Sequence, residues 1–265
     1  MKKTFVIFLK IVLFFVGWAV LSGVVDIPND NSAIWRFFAE FIPFVVIVIF
    51  TIIFLMIEKK EVCIPIMQNS IKGILSGTVA GIIWIGFSAT VLLVSNQMVI
   101  IEYNDVPLLG LWILSAFINV AMQEMLVRGY IYQLLKTRYN LSVAIFVTTA
   151  VFTLLHGGVF EAGIVPVVNV ITMCLFTTAL YESEGTILAP VMAHGIWNII
   201  GAVVLGGVSL ADDYPSVYEM VPSGSKLISG GDCKIEASIL VTAINIILIF
   251  FFYFQYKKNI LLKKQ

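Results

Sequence analysis

The stretch Ala121-Met-Gln-Glu-Met-Leu-Val-Arg-Gly-Tyr130 decides how this chain is read. It lies in an apolar run that begins near Leu108 and continues toward Lys136. Glu124 and Arg128 are four residues apart, so a helix brings them to one face. A charged side chain near the centre of a membrane helix costs about 2.5–3.5 kcal/mol on insertion scales. Charges that stay there pair with each other, face a bundle interior or do chemistry. Working outward, two later apolar runs carry Phe152-Thr-Leu-Leu-His156 and His194-Gly-Ile-Trp-Asn198. His156 and His194 are the only 2 histidines of the chain. The three stretches read as one site.

Composition agrees with a membrane setting. The 265 residues are 60% hydrophobic and 12% charged, with a mean hydropathy of +1.02. Soluble domains carry about 25% charged residues. The fold class expected is all-α, a polytopic membrane protein whose site lies in the later helices. A transmembrane barrel is excluded, because the apolar runs are long and continuous rather than short and alternating. A net charge of +0 gives no reason to expect nucleic acid. Cys63, Cys174 and Cys233 are far apart and share no metal-binding spacing, so free thiols are expected.

A span needs about 20 mostly apolar residues, and about eight runs qualify: roughly 5–25, 37–57, 71–94, 108–136, 141–155, 164–181, 186–205 and 237–256. The first resembles a signal peptide without a small-residue cleavage site, so an uncleaved anchor is expected. The fourth is long for one span and predicts a tilt or an exit from the bilayer. Basic residues set the orientation. Lys2 and Lys3, then Lys59, Lys60 and Lys72, then Lys136 and Arg138, then Lys257, Lys258, Lys263 and Lys264 fall on one side of an eight-span chain. Both termini are therefore expected in the cytoplasm of a plasma-membrane protein. The opposite loops carry Asp26, Asp30, Glu102, Asp105, Glu161, Asp212 and Asp213. The segment from about 206 to 236 has the Gly, Pro, Ser and Asp content of an exposed extracytoplasmic loop.

The three stretches support hydrolytic chemistry. A water held by two imidazoles and a carboxylate can attack an amide. Imidazole and carboxylate can activate it as general bases, or as ligands of a divalent metal such as zinc. In the metal reading the ligands are Glu124, His156, His194 and Asn198. Asn198 follows His194 by four residues, so its amide faces the same way and can donate to an oxyanion. Arg128 holds Glu124 ionised or fixes the packing. Each group also has a plain structural reading: a buried ion pair, a hydrogen-bonded core histidine, interhelical hydrogen bonds. Lys10 is expected to snorkel to the headgroups. Glu40 and Pro43 read as a cap or kink, and Asn119 and Asn169 as interhelical hydrogen-bonding groups.

In order, the motifs resemble those of the CAAX-processing and bacteriocin-immunity intramembrane proteases, the CPBP or Abi family. That family carries Glu-Glu-x-x-x-Arg, Phe-x-x-x-His and His-x-x-x-Asn. Here they read Gln123-Glu124-x-x-x-Arg128, Phe152-x-x-x-His156 and His194-x-x-x-Asn198. The flanks Arg128-Gly129-Tyr130 and Pro190-x-x-x-His194 are also similar. The resemblance divides the chain into N-terminal spans over 1–107, a protease-like core over 108–206, and a loop with the last span over 207–265. It implies a helical core with a conical cavity and endopeptidase action on a membrane-associated peptide or protein, of CAAX type or a bacteriocin or pheromone precursor. It further implies that the first Glu and first His activate water, and that the second His and the Asn support the oxyanion.

The chain departs from the family at Gln123, which stands where the first Glu is expected. A glutamine accepts hydrogen bonds through its carbonyl but is no general base. Glu124 lies about 100° further round the helix. Three readings stay open: Glu124 takes over as base, the histidines hold a metal that acidifies water, or the chain has lost catalysis and acts in the membrane as an immunity or scaffold protein.

Overall fold

A computed structural model describes residues 2–27 and 30–262. Lys263 and Lys264 of the expected terminal basic group lie outside the described residues, as does the side chain of Lys2. The apolar runs are helices: α1 Lys2–Gly23, α2 Ser32–Ile57 and α3 Ser70–Val94. Strand β1 (Met98–Tyr103) follows, then α4 Leu109–Arg128, α5 Tyr130–Arg138, α6 Leu141–Leu155, the short α7 Gly158–Ala162 and α8 Ile164–Glu184. Helix α9 (Leu188–Asn198) runs on as a π-helix over Ile199–Val204. Strand β2 (Tyr218–Pro222), α10 Lys226–Ser229, a 3-10 turn over Gly231–Ala237 and α11 Ile239–Leu262 complete the described chain. Six helices are long and apolar enough to cross a membrane, and Leu141–Leu155 and Leu188–Val204 are shorter apolar helices. The all-α polytopic membrane class is borne out, with two of the expected spans formed by these shorter apolar helices.

Local chemistry sets several boundaries. Asn31 accepts from the amides of Ala33 and Ile34 and caps α2, and Asn140 accepts from Val143 to start α6. The long fourth run breaks at Gly129, where a Cβ would lie 2.1 Å from the Met125 carbonyl oxygen. The chain turns there, so α5 leaves the axis of α4. Helix α3 lies close against α9, and a Cβ on Gly77 would come 2.2 Å from the Ala189 carbonyl oxygen. Small residues let helix backbones approach in this way inside a membrane.

Two apolar clusters hold the bundle. One joins α3, α8, α9 and α11 around Trp84, Phe176 and Trp197, with the two indoles stacked at 4.0 Å. The other joins α1, α2, α4, α5 and α6 around Phe14, Ile47 and Tyr130. Outward faces keep large apolar side chains such as Phe5, Phe8, Ile52 and Phe254 exposed, as a lipid-facing surface requires.

The two ends of the bundle are tied differently. At one end Glu58 accepts from Lys10 at 2.5 Å, Arg138 at 2.7 Å and Tyr130 at 2.9 Å. Lys10 thus pairs with a buried carboxylate instead of snorkelling. Burial alone would raise the Glu58 pKa, but these hydrogen bonds outweigh it and hold it below the ordinary carboxylate value. At the other end β1 pairs antiparallel with β2, and Arg36 donates through Nε to Asp213 at 2.9 Å. The 206–236 segment is not a free loop: Val208, Met220 and Ile235 are buried in the first cluster. Its apolar side chains could only be placed once the strand pair had closed it over the helix ends.

Candidate active site

Glu124 is fully buried on α4 and commits both carboxylate oxygens. Oε2 accepts from Arg128 Nη1 at 2.6 Å, and Oε1 lies 2.9 Å from His194 Nδ1 on α9. Arg128 is itself fully buried. It donates through Nη2 to the Cys174 carbonyl at 2.8 Å and to Thr177 Oγ1 at 2.5 Å, and through Nε to Thr178 Oγ1 at 3.2 Å. Its acceptors beyond Glu124 all lie on α8. The four-residue spacing seen in the sequence therefore pins three helices together.

Both histidines have a fixed tautomer in their neutral form. His156 follows the last residue of α6, and its Nδ1 lies 2.8 Å from the Phe152 carbonyl oxygen. A carbonyl only accepts, so Nδ1 carries the hydrogen and Nε2 is left as an acceptor. The carboxylate of Glu124 imposes the same tautomer on His194. Phe152 stands between the two rings, 4.4 Å from His156 and 6.3 Å from His194, centroid to centroid.

Helix α6 is short: its 15 residues rise about 22 Å, less than the roughly 30 Å hydrocarbon core. The π-helix that begins one residue after Asn198 widens α9 beside the site, a feature frequent at functional positions.

A cavity of about 520 Å³ is lined by His156, His194, Asn198 and Gln123 together with Phe152. Five of the six residues singled out in the sequence thus converge on the cavity or bond directly to a group that lines it; Arg128 stands one bond behind. The opposite wall comes from residues the motifs do not mark: Arg36 and Glu40 on α2, Asn119 on α4, Tyr214 and Glu236 from the 206–236 segment. Glu40 was detectable as a carboxylate in an apolar run, but its reading as a cap or kink is corrected: it is buried and faces this cavity. Asn119 bonds a neighbouring helix as expected, donating to Glu40 Oε2 on α2 at 2.7 Å, and also lines the cavity. Asn169 does hold helices together, donating to the carbonyls of Glu236 and Ser238 at 2.8 and 2.9 Å. Nothing in the sequence foretold Tyr214. Burial raises its phenol pKa further above neutrality, so its hydroxyl remains a donor, and it has no hydrogen-bond partner among the described residues.

Of the expected metal set, Glu124 has both oxygens committed, to Arg128 and His194, whereas each histidine is held through Nδ1 and keeps Nε2 as a possible ligand. Among the described residues no three His, Cys, Asp or Glu side chains are grouped to hold a metal ion. No step of the reaction is assigned to a metal. The cysteines are free, as expected, with Cys174 buried against Arg128.

No curated protein and no solved structure matches the chain. A family model does: that of the type II CAAX prenyl endopeptidase Rce1-like proteins, over residues 105–200. The matched residues contain Gln123, Glu124, Arg128, His156, His194 and Asn198, and they exclude Arg36, Glu40, Tyr214 and Glu236. The segment that carries all three motifs is therefore similar to the Rce1-like type II CAAX prenyl endopeptidases.

Proposed function

We propose that this protein is an intramembrane endopeptidase acting on a membrane-associated peptide or protein. The observation that carries the reading is the pair of histidines with Nδ1 engaged, each leaving Nε2 as its remaining ring nitrogen at one cavity beside Asn198. In the reaction, His156 Nε2 takes a proton from water as the oxygen attacks the scissile carbonyl carbon. The oxyanion accepts from the Asn198 amide, beside which Glu124 holds the His194 ring. His156 then returns the proton to the leaving nitrogen as the carbon–nitrogen bond breaks. Glu124 acts through His194, and Arg128 through Glu124. General acid–base catalysis of this kind contributes about 10²–10⁴-fold.

With both termini cytoplasmic, as the basic residues favour, Arg36, Tyr214 and the 206–236 segment lie toward the extracytoplasmic face. The polar wall of the cavity then faces substrates from that side or from the bilayer.

Gln123 favours a second reading, an immunity or scaffold protein that keeps the cavity without cleaving. The two separate in host membranes expressing either the wild type or the Glu124→Ala, His156→Ala double variant at matched levels. Peptide N-termini created only by the wild type are expected, and they identify the substrates. Identical N-termini from two folded proteins contradict the endopeptidase and favour the scaffold.

A further inference from the structure

We propose that Glu40 on α2, outside the matched segment, replaces the carboxylate missing at position 123 by setting which end of the Gln123 amide serves the reaction. The proposal rests on the endopeptidase reading and names positioning residues for it.

The geometry is a one-way relay. Arg36 donates through Nη1 to Glu40 Oε1 at 3.2 Å. Asn119 Nδ2 donates to Glu40 Oε2 at 2.7 Å, and Gln123 Nε2 donates to Asn119 Oδ1 at 2.6 Å. Arg36 is anchored in turn by Asp213. Each link fixes the next. A carboxylate accepts only, so the Asn119 amide must turn its nitrogen to Glu40 and its oxygen to Gln123. Gln123 must then donate through Nε2, which leaves Oε1 as its remaining acceptor. That oxygen is buried and has no hydrogen-bond partner among the described residues. A buried acceptor without a partner is destabilising and calls for an explanation. Gln123 lines the cavity that holds His156. A water there can give one hydrogen to Gln123 Oε1 and the other to His156 Nε2, which aims its oxygen lone pair at the substrate. Orientation of the nucleophile is a large part of what a hydrolytic site supplies.

A glutamine at position 40 would reverse the relay. Arg36 has only donors, so the amide introduced by E40Q would turn its oxygen to Arg36 and its nitrogen to Asn119. Asn119 would then donate to Gln123 Oε1, and Gln123 would present Nε2, a donor, in place of an acceptor. A glutamate at position 123 combined with glutamine at 40 restores a consistent relay, with Asn119 donating to the new carboxylate. Glutamate at 123 alone sets two carboxylates against one Asn119 amide, which can donate to only one.

The test compares N-termini that depend on His156 in host membranes. It uses the wild type, E40Q, Q123E, the E40Q/Q123E double variant and H156A at matched levels, with thermal melting of each purified protein. E40Q and Q123E are each expected to lose cleavage by on the order of tenfold or more, and the double variant to recover most of it. A merely structural role for Glu40 predicts no such recovery. Cleavage by E40Q or by Q123E at the wild-type level, or a folded double variant as inactive as its parents, overturns the relay while leaving the endopeptidase intact. If E40Q does not fold, Q123E and the double variant decide alone. Absence of any His156-dependent cleavage overturns both.

Discussion

The two walls of the cavity are built on different physical plans. The wall from the matched segment is closed: Glu124, Arg128 and His194 satisfy one another with Thr177, Thr178 and the Cys174 carbonyl, and both ions have no exposure. The network that joins α2 and the 206–236 segment to Asn119 and Gln123 on α4 is open-ended. Its relay runs from Asp213 through Arg36, Glu40 and Asn119 to a Gln123 oxygen without a partner, and the Tyr214 hydroxyl also has none among the described residues. A closed network holds tautomers and ring positions. An open one has hydrogen-bonding capacity left for water and substrate. The motif positions mark the closed network and the Gln123 end of the open one.

Breaking the closed wall is expected to cost the most. Arg128→Met leaves the Glu124 carboxylate buried without its partner, and loss of one member of a buried pair costs about 3–5 kcal/mol. Thermal melting in detergent should show a large drop. Removing both charges, in Glu124→Gln with Arg128→Met, should cost less than Arg128→Met alone. Equal or additive losses would mean that the two charges do not act as a pair.

A smaller effect is expected where packing alone is at stake. Gly77→Leu drives a side chain into the Ala189 backbone of α9, the helix that carries His194. Overpacking of this kind costs about 1–3 kcal/mol. Because α9 positions one side of the closed wall, cleavage should fall along with stability. A stable Gly77→Leu protein with unchanged cleavage would show that α3 does not hold α9 in place.

The smallest effect belongs to the far end of the bundle, away from both walls. The folded-state pKa of Glu58 lies below the ordinary value of 4.5. Its hydrogen bonds therefore stabilise the fold above that pH, and the stabilisation is lost as pH falls through the folded pKa. Unfolding free energies of wild type and Glu58→Gln should converge as the pH is lowered below about 4.5, with a gap of about 1–2 kcal/mol near neutrality. A constant gap would remove the ionised Glu58 from the account.

The contrast between the walls also explains what could be read from sequence. Apolar run lengths gave away the helices, and i, i+4 spacing gave away Glu124 with Arg128 and His194 with Asn198, because both signals are local. The break at Gly129 showed only as an overlong run, since it rests on one residue whose ψ of −123° leaves the helical range. Glu40 and Asn119 were visible as polar residues in apolar runs, but they are 79 positions apart and no spacing rule connects them. Tyr214 and Glu236 reach the cavity only because β1 and β2 pair across more than a hundred residues, a long-range event that no local pattern encodes.

The most direct measurement uses purified protein reconstituted in lipid vesicles with a peptide that the membrane comparison identifies as cleaved. Mass spectrometry of the products follows hydrolysis by the wild type and by His156→Ala, with equal incorporation and equal melting behaviour. The account predicts cleavage by the wild type at the same bond as in cells, and a rate lower by about 10²–10⁴-fold in His156→Ala. Equal rates from the two proteins would contradict it.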